Sequence, residues 1–456
     1  MTRWVRWLLP GLSVKRWILL AVCGVFMMGL GISLVLRVNL YVHIGSWLFQ
    51  NLAASANVFL YGPLVAGSVA LLIGAWLTVM ASTSLVRSVL RTLVPPNTGT
   101  AEAYYQRRNL VRGPRVVTLG GGTGMSSLLR GIKHYTSNIN AIVTVADDGG
   151  SSGRLREEFG ILPPGDIRNC LVALSDTEPL LESLLQHRFD HGTGLSGHSF
   201  GNLLLLATTE ITGNFYDAVQ AASQVLAVRG SVLPSTLDQI VLAAQLADGR
   251  RVAGESIIGK MHSPIMRVQL EKIHPEGQEP LPIRPLPDAL KAITQAEVVV
   301  LGPGSLYTSI IPNLLIPGIA EALQRSSALK IYVCNIMTEP GETDGYTVSQ
   351  HVKALLDHAG PGILDLVVVN SAPVSRGMLA KYEEEGAQQV RVDARELNKL
   401  GIDLVQVNLV SEGTDFVRHD PEKLAQVIGQ LFLERAVTQE RTPWDFLLLR
   451  QRLQEK

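Results

Sequence analysis

Acidic residues are absent from the first 99 positions of this chain, although the whole sequence contains 40 acidic and 40 basic residues. Seven basic residues occupy that stretch, so the remaining positions carry a net charge of −7. An acidic soluble part argues against the broad basic surface that nucleic-acid binding requires. We therefore do not expect nucleic acid among the partners.

Cysteine is also scarce, and the sequence contains Cys23, Cys170 and Cys334 alone. Their odd number and wide spacing exclude a disulfide framework and a zinc site built from paired cysteines. The 10 histidines show no H-E-x-x-H spacing, which excludes that zinc-hydrolase motif. These absences agree with a reducing cytoplasm around the soluble part.

Charged residues are missing from two long segments near the N-terminus, residues 17–36 and 38–86. A bilayer core of about 30 Å needs about 20 helical residues, so each segment can supply one span. We predict a membrane hairpin over residues 1–94, with spans near 17–36 and 62–84. Small residues are expected to pack the two helices together: Gly24, Gly29, Gly31, Gly62, Gly67 and Gly74.

Basic residues flank this hairpin at both ends. Four precede the first span and six lie between the second span and residue 116, whereas the segment between the spans holds only Arg37 among lysines and arginines. The positive-inside rule then predicts a two-span protein of the cell membrane, with both termini and the soluble domain in the cytoplasm. Membrane lipid is accordingly an expected partner. A cleaved signal peptide is disfavoured because a second span follows the first.

A glycine-rich turn at 120–124 joins the apolar or β-branched run at 116–119 to a helical pattern of apolar residues at 125, 128, 129 and 132. Such a strand–turn–helix unit brings backbone N–H groups and a helix N-terminus close to a phosphate. The turn therefore predicts a phosphate-bearing ligand, and a plain tight turn is the alternative. The ligand-binding residues predicted here are Gly120, Gly121, Gly122, Thr123 and Gly124.

The turn departs from two common phosphate-binding motifs. Met125 stands where the dinucleotide fingerprint G-x-G-x-x-G has its third glycine, and no G-K-[ST] sequence follows the glycines as in a P-loop. These departures disfavour a nicotinamide-dependent dehydrogenase and a P-loop protein.

A second polar turn follows the strand expected at 141–146. It begins with Asp147 and Asp148 and continues with Ser151, Ser152 and Arg154. Because the carboxyl ends of parallel strands share one edge of a sheet, this turn is expected near the first. Carboxylates suit Mg²⁺ or ribose hydroxyls, and serine and arginine suit phosphate oxygens. We predict that all five bind ligand, the two aspartates also as metal ligands, with a solvated loop as the alternative.

Three further turns complete the candidate site. They lie at 163–169, at 197–202 and after the wholly apolar run at 298–301, where a diphosphate could be cradled. His198 is equally expected as a satisfied residue packed at a helix start. The ligand-binding residues predicted in these turns are Asp166, Asn169, His198, Asn202, Gly302, Gly304 and Ser305.

The order of elements predicts an α/β fold, because strands near 115–119, 140–146, 297–301, 329–334 and 364–369 alternate with helical patterns. We expect a Rossmann-like, mostly parallel sheet over 113–436. An α+β insert is predicted at about 167–290, with a β-hairpin turning at Asp248-Gly249. A linker at 95–112 and a C-terminal helical tail at 437–456 complete the predicted domains, and Asp420-Pro421 is predicted to begin a closing helix.

Six turns in this order carry a family resemblance: 120–124, 147–153, 163–169, 197–202, 302–309 and 334–343. In these motifs the chain resembles the YvcK-like gluconeogenesis factors of bacteria, which are relatives of 2-phospho-L-lactate transferase. The resemblance covers about residues 113–436. The turns at 302–307 and 337–343 look more like the YvcK-like branch than the transferase branch.

The resemblance implies a Rossmann-like core and an association with cell shape and with growth on gluconeogenic carbon sources. It implies a nucleotide-sugar ligand such as UDP-N-acetylglucosamine, with proteins of envelope synthesis and a homo-oligomer as further expected partners. No reaction is firmly assigned to this branch, so we expect a binding and regulatory protein without assigned catalytic residues. The transferase branch uses a nucleotide-activated phospholactate and a divalent metal. A metal-dependent phospho-transferase, with Asp147 or Asp148 on Mg²⁺, is therefore the alternative.

Overall fold

The computed structural model describes residues 14–36, 58–93 and 110–438, apart from 177–178, 193, 262, 274–280 and 412–415. The chain divides into two compact units, Met1–Arg108 and Asn109–Lys456. The tail predicted at 437–456 and most of the linker predicted at 95–112 lie outside the described residues, and both stay predictions.

The first unit contains two long helices, α1 (Val14–Leu36) and α2 (Val58–Leu93). Within them, Arg16–Val35 and Val65–Leu85 are long and apolar enough to cross a membrane. These segments coincide with the two predicted spans. Many of their large apolar side chains are exposed, which suits helices that meet lipid rather than water.

Glycines bring the two helices into backbone contact. A Cβ placed on Gly24 would lie 2.9 Å from the carbonyl oxygen of Gly74, and one on Gly31 would lie 2.7 Å from that of Gly67. Both distances are too short for any side chain. The helices therefore pack through small residues, as membrane helix pairs do.

The second unit is built on parallel strands. Its described strands are β1 (Val116–Gly120), β2 (Ile139–Val143), β3 (Ser231–Pro234), β4 (Ile240–Leu246), β5 (Arg251–Ala253), β6 (Ile265–Lys272), β7 (Val298–Leu301), β8 (Leu329–Val333), β9 (Leu366–Asn370) and β10 (Asp403–Val407). Seven of them form one sheet in the order β10-β9-β8-β7-β1-β2-β3, and every neighbouring pair is parallel. The predicted α/β fold with a mostly parallel sheet is confirmed.

Helices connect these strands. Those described in the second unit are α3 (Gly122–Ile132), α4 (Gly150–Phe159), α5 (Gly165–Leu174), α6 (Pro179–Gln186), α7 (Phe200–Thr212), α8 (Phe215–Val225), α9 (Glu255–Ile258), α10 (Pro287–Gln295), α11 (Ile311–Leu314), α12 (Ile319–Arg325), α13 (Val348–Ala359), α14 (Arg376–Glu384), α15 (Ala394–Lys399) and α16 (Pro421–Thr438). A π-helical turn, Leu306–Ile310, directly precedes α11. The closing helix predicted after Asp420-Pro421 is α16, and the Asp420 carboxylate accepts hydrogen bonds from the N–H groups of Glu422 and Lys423.

The prediction of one insert at about 167–290 is wrong in one respect. Strand β3 lies within this range, but it belongs to the main sheet and pairs with β2. The excursion is therefore interrupted by a core strand, and its second part is a small antiparallel sheet in the order β5-β4-β6. The predicted hairpin at Asp248-Gly249 is confirmed, because β4 and β5 pair on either side of it. Strand β3 escaped prediction because it is only 4 residues long and ends in Pro234.

The strand order creates a switch point between β1 and β7. The chain runs from β1 outward to β2 and β3, then returns to add β7 on the other side of β1 and continues outward through β8, β9 and β10. Ligands of open α/β sheets bind at the carboxyl ends of the strands at such a point. Helix α3 starts there, with Met125, Leu128, Leu129 and Ile132 buried as its apolar spacing predicts.

Gly131 lies where α3 packs against the closing helix, α16, and its replacement tests that packing. A Cβ on Gly131 would overlap the carbonyl oxygen of Pro421 at the start of α16, whereas a Cβ on the helical Gly377 would meet nothing within 4 Å. We expect Gly131→Ala to lower the free energy of unfolding by about 1–3 kcal/mol through overpacking. The matched control Gly377→Ala should be neutral or stabilising by up to about 1 kcal/mol. Thermal unfolding of the full chain in detergent measures both, and equal effects would contradict the packing.

Candidate functional site

A cleft of about 330 Å³ opens at the switch point. We call it the switch-point cleft; its walls are the turns after β1, β7 and β8, together with side chains from the α14 region and the segment before α16. The residues that line it are Gly122, Thr123, Gly124, Ser127, Pro303, Gly304, Ser305, Ser309, Asn335, Ile336, Met337, Thr338, Glu339, Pro340, Tyr382, Glu385, Ala387, Phe416, Val417, Arg418 and His419.

The first glycine turn presents a helix N-terminus to this cleft. Gly122 begins α3 with φ of +66°, a left-handed value that favours glycine. The preceding Gly121 is extended and has no side chain to cap the helix, and the Asp166 carboxylate occupies the Gly122 N–H. The first-turn N–H groups beside Thr123 and Gly124 therefore retain unmet donor capacity and the positive end of the helix dipole. An anionic group is the ligand that such a wall attracts.

The second glycine turn is in backbone contact with the first. A Cβ on Gly124 would lie 2.7 Å from the Pro303 carbonyl oxygen, and one on Gly304 would lie 3.2 Å from the Gly121 carbonyl oxygen. Side chains at Gly124 or Gly304 would push the two turns apart. The turns thus form one continuous backbone surface.

Asn313 and Asn335 hold this surface from behind and from the side. Asn313 Nδ2, from α11, donates to the Gly120 carbonyl oxygen at 3.0 Å. Asn335 Oδ1, after β8, accepts from the Gly304 N–H at 3.3 Å. The third wall includes Glu339, and burial raises the pKa of that carboxyl. A carboxyl group that is protonated, or that accepts a hydrogen bond from a hydroxyl group, suits sugar or ribose hydroxyls better than phosphate.

Arg418 brings a positive charge to the same cleft. Its guanidinium lies 5.6 Å from the centre of the Phe416 ring, an aromatic contact that orients it. The neighbouring His419 is buried and its ring nitrogen lies 3.2 Å from the Cys334 carbonyl oxygen. Burial lowers the pKa of His419 to about 4, so it is neutral at neutral pH. Arg418 is thus the cationic side chain in this wall.

Asp147 and Asp148 lie beside the cleft, outside its walls. Asp147 Oδ1 accepts from the Gly149 N–H at 2.8 Å, and Asp148 Oδ1 accepts from the Ser256 N–H at 2.8 Å, so the two carboxylates are engaged by different segments. Within the described part of the chain, no three His, Cys, Asp or Glu side chains are arranged to hold a metal ion. The magnesium site predicted at these two residues stays a prediction.

Asp166 connects the first glycine turn to this polar region. Its carboxylate accepts a hydrogen bond from the Gly122 N–H, and it lies so close to Gly121 that a Cβ there would overlap it. Burial raises the pKa of Asp166 to about 6, and the charge of Asp147 adds to the rise. A side chain at position 121 would therefore collide with the Asp166 carboxyl group.

Ser151, His198 and Asn202 form a buried hydrogen-bonded set. Asn202 Nδ2 donates to Ser151 Oγ at 3.0 Å, and Ser151 Oγ lies 3.0 Å from His198 Nδ1. Because Asn202 supplies one proton, the Ser151 hydroxyl can donate its own to His198. Burial lowers the pKa of His198, which keeps the ring neutral. Asn169 Oδ1 accepts a hydrogen bond from Arg168 Nη2 at 2.7 Å.

Two buried acids in this region were not singled out from the sequence. Burial and the nearby Glu339 raise the pKa of Glu342 to about 8, and Thr308 donates to its Oε1 at 3.1 Å. Burial, followed by the charges of Asp147 and Asp166, raises the pKa of Glu255 well above its ordinary value. The sequence shows that a carboxyl group is present but not which groups surround it. Glu342 does lie in the turn at 334–343, one of the six turns that carry the family resemblance.

The predicted site residues thus divide into three groups. Those that line the switch-point cleft are Gly122, Thr123, Gly124, Gly304 and Ser305. Those in the adjoining polar region are Asp147, Asp148, Ser151, Ser152, Arg154, Asp166, Asn169, His198 and Asn202. Those behind the turns, shaping the backbone, are Gly120, Gly121 and Gly302. Sequence reasoning missed Tyr382 and Arg418, which reach the cleft from distant segments.

Comparison with known proteins gives a family-wide match. The model of the family described as 2-phospho-L-lactate transferase CofD matches residues 116–410. That span includes the first strand of the sheet, all six turns and β10. The match thus covers most of the second unit.

Individual relatives agree with that match. A protein of Bacillus subtilis described as a gluconeogenesis factor is 50% identical over 321 residues, which are 70% of this chain and 99% of the relative. A relative from Nostoc sp. is 47% identical over 432 residues, 93% of this chain and 92% of its own length. A crystal structure of a Bacillus halodurans protein is 52% identical, with a TM-score of 0.66, and covers 69% of this chain and 99% of its own.

Asp166→Asn tests the raised pKa at the first glycine turn. The carboxyl has a pKa of 3.8 when unperturbed and about 6 in the folded protein. The folded state therefore binds this proton more tightly, and the resulting stability is present at low pH and lost as the pH rises through about 6. Relative to Asp166→Asn, the wild-type protein should lose about 2–3 kcal/mol between about pH 4 and pH 7. Urea unfolding at both pH values measures this, and a pH-independent difference would contradict it.

Proposed function

Since the chain belongs to the CofD family, and within it to the gluconeogenesis factors, we propose that it is a membrane-tethered protein that binds a nucleotide-sugar. The ligand is of the UDP-N-acetylglucosamine type. Binding regulates cell-envelope growth, cell shape and the use of gluconeogenic carbon, with proteins of envelope synthesis as partners. The hairpin of α1 and α2 anchors the protein among membrane lipids.

One observation carries the ligand assignment: the two glycine turns touch at the switch point and form a continuous backbone wall. The N-terminus of α3 supplies donors and a partial positive charge for a diphosphate, and Arg418 supplies a full charge. Asn335, Thr338 and Glu339 offer hydrogen-bonding groups for hydroxyls. A volume of about 330 Å³ falls within the range of small-molecule sites.

The same geometry favours binding over catalysis. Ser151 and His198 resemble a nucleophile and a base, but neither lines the switch-point cleft. Of the carboxyl groups that line it, Glu339 has a raised pKa and a hydrogen bond from Ser305, whereas Glu385 is exposed. A ligand there would meet backbone donors and a cation, which suits the binding of an anionic group.

Calorimetric titration of the full chain in detergent with UDP-N-acetylglucosamine tests the proposal. We expect binding at sub-millimolar ligand, and Arg418→Gln should weaken it by about tenfold or more because a charge-assisted contact to the diphosphate is lost. Arg325→Gln, at the C-terminal end of α12, removes an exposed charge elsewhere and should leave the affinity unchanged. Absence of binding at millimolar ligand would refute the proposed function.

A second candidate function, a metal-dependent phospho-transferase, is favoured by the description of the matching family. It requires turnover of a nucleotide-activated hydroxy acid in the presence of Mg²⁺, and loss of that turnover in Asp148→Asn. We expect no turnover in either protein. Metal-dependent turnover by the wild-type chain would favour the transferase instead.

A reporter fused after Lys456 tests the membrane topology. The basic residues on both sides of the hairpin favour two cytoplasmic termini. We therefore expect a fused alkaline phosphatase to be inactive and a fused fluorescent protein to be bright. Fusion of the same reporters at residue 50, between the spans, should reverse both signals. An active phosphatase at Lys456 would overturn the orientation.

A further inference from the structure

A group of arginines lies on the carboxyl edge of the sheet, outside the switch-point cleft. We call it the arginine cluster: Arg154, Arg168 and Arg188. Arg154 Nη2 donates to the Ser196 carbonyl oxygen at 2.9 Å, and Arg188 donates to that of the next residue, Gly197. Two guanidinium groups are thus held against one turn of the chain.

Arg168 adds a third, half-buried charge to this cluster. Its Nη1 donates to Ser199 Oγ and to Asn202 Oδ1, and its Nη2 donates to Asn169 Oδ1, all neutral acceptors. Its Nε has no hydrogen-bond partner although it is buried. The charge of Arg188 also acts on Arg168, so the positive groups are near one another.

The cluster lacks anionic partners. Among the described residues, no carboxylate lies within ion-pair distance of Arg154, Arg168 or Arg188. Burying a guanidinium costs free energy that a carboxylate or another anion normally offsets. Arg154 and Arg188 therefore leave positive charge at this place, while Asp166 and Asp147 act on Arg168 from beyond ion-pair distance.

Neutral donors surround the same charges. Ser151 lies in the first turn of α4, and Ser199 caps α7, whose N–H of Asn202 donates to Ser199 Oγ. The two helices are 10 and 13 residues long, so their N-termini add partial positive charge. Guanidinium forks combined with hydroxyl groups match the several acceptor oxygens of a phosphate group.

The cluster is distinct from the switch-point cleft, since none of its three arginines lines the cleft. Asp166 interacts with both places, because it accepts from Gly122 at the start of α3 and its charge acts on Arg168. Asp147 also acts on Arg168. These two carboxylates would repel a diphosphate that extended from the cleft towards the cluster, so one phosphate chain does not bind at both places.

From these observations we propose that the arginine cluster is a second anion site, which takes the phosphate monoester of a second small molecule while the switch-point cleft holds its own ligand. The protein then senses two metabolites at one sheet edge. The site does not require that the first ligand be a nucleotide-sugar.

Titration of the full chain in detergent with inorganic phosphate tests this site. Arg154→Gln and Arg188→Gln remove exposed members of the cluster, and each should weaken phosphate binding by about tenfold. The matched control Arg250→Gln removes an exposed arginine at the turn between β4 and β5, and should change the affinity by less than about twofold because its guanidinium is already paired with Asp248. Unchanged phosphate affinity in both cluster variants would overturn the proposal.

A second titration, with the cleft occupied, separates this site from the first. Phosphate affinity should be the same with and without saturating UDP-N-acetylglucosamine, and Arg418→Gln should lose the nucleotide-sugar but keep phosphate. Displacement of phosphate by the nucleotide-sugar would show a single shared site and overturn the proposal. Phosphate binding that depends on the cluster, without any nucleotide-sugar binding, would refute the proposed function and leave the second site standing.

Discussion

The backbone contact between the two glycine turns is the constraint on which the site depends. Gly124 meets Pro303 at a distance that excludes a side chain, and Gly304 meets Gly121 at a distance that leaves little room for one. The contact joins the ends of β1 and β7, the two strands that flank the switch point. It explains why the cleft has a wall of main chain rather than of side chains. A wall of this kind recognises charge and shape, which are the common features of phosphorylated ligands.

Asp166 extends that constraint into the neighbouring polar region. The group belongs to the first turn of α5, yet its carboxylate holds the start of α3 through Gly122. Its charge also acts on Arg168. One carboxyl group therefore acts on both the start of α3 at the cleft and the arginine cluster, and it shapes the electrostatics of both.

Much of the sheet could be predicted from the sequence, because buried parallel strands such as Val298–Leu301 are wholly apolar. Strand β10 was missed since it is an edge strand with exposed Asp403 and Gln406. The glycine turns were found because a run of glycines directly after a predicted strand has few roles other than a tight turn that approaches a ligand. Arg418 and Tyr382 were not found. They reach the cleft only through the tertiary fold, which local sequence patterns do not show.

The walls of the switch-point cleft come from both ends of the second unit, Thr123 in the first helix after β1 and Arg418 just before the last described helix. Contacts of such long sequence separation form late in folding. During synthesis Thr123 leaves the ribosome long before Arg418, so this wall of the cleft cannot exist until residue 418 has been made. The cleft is therefore complete only after most of the second unit has been synthesised.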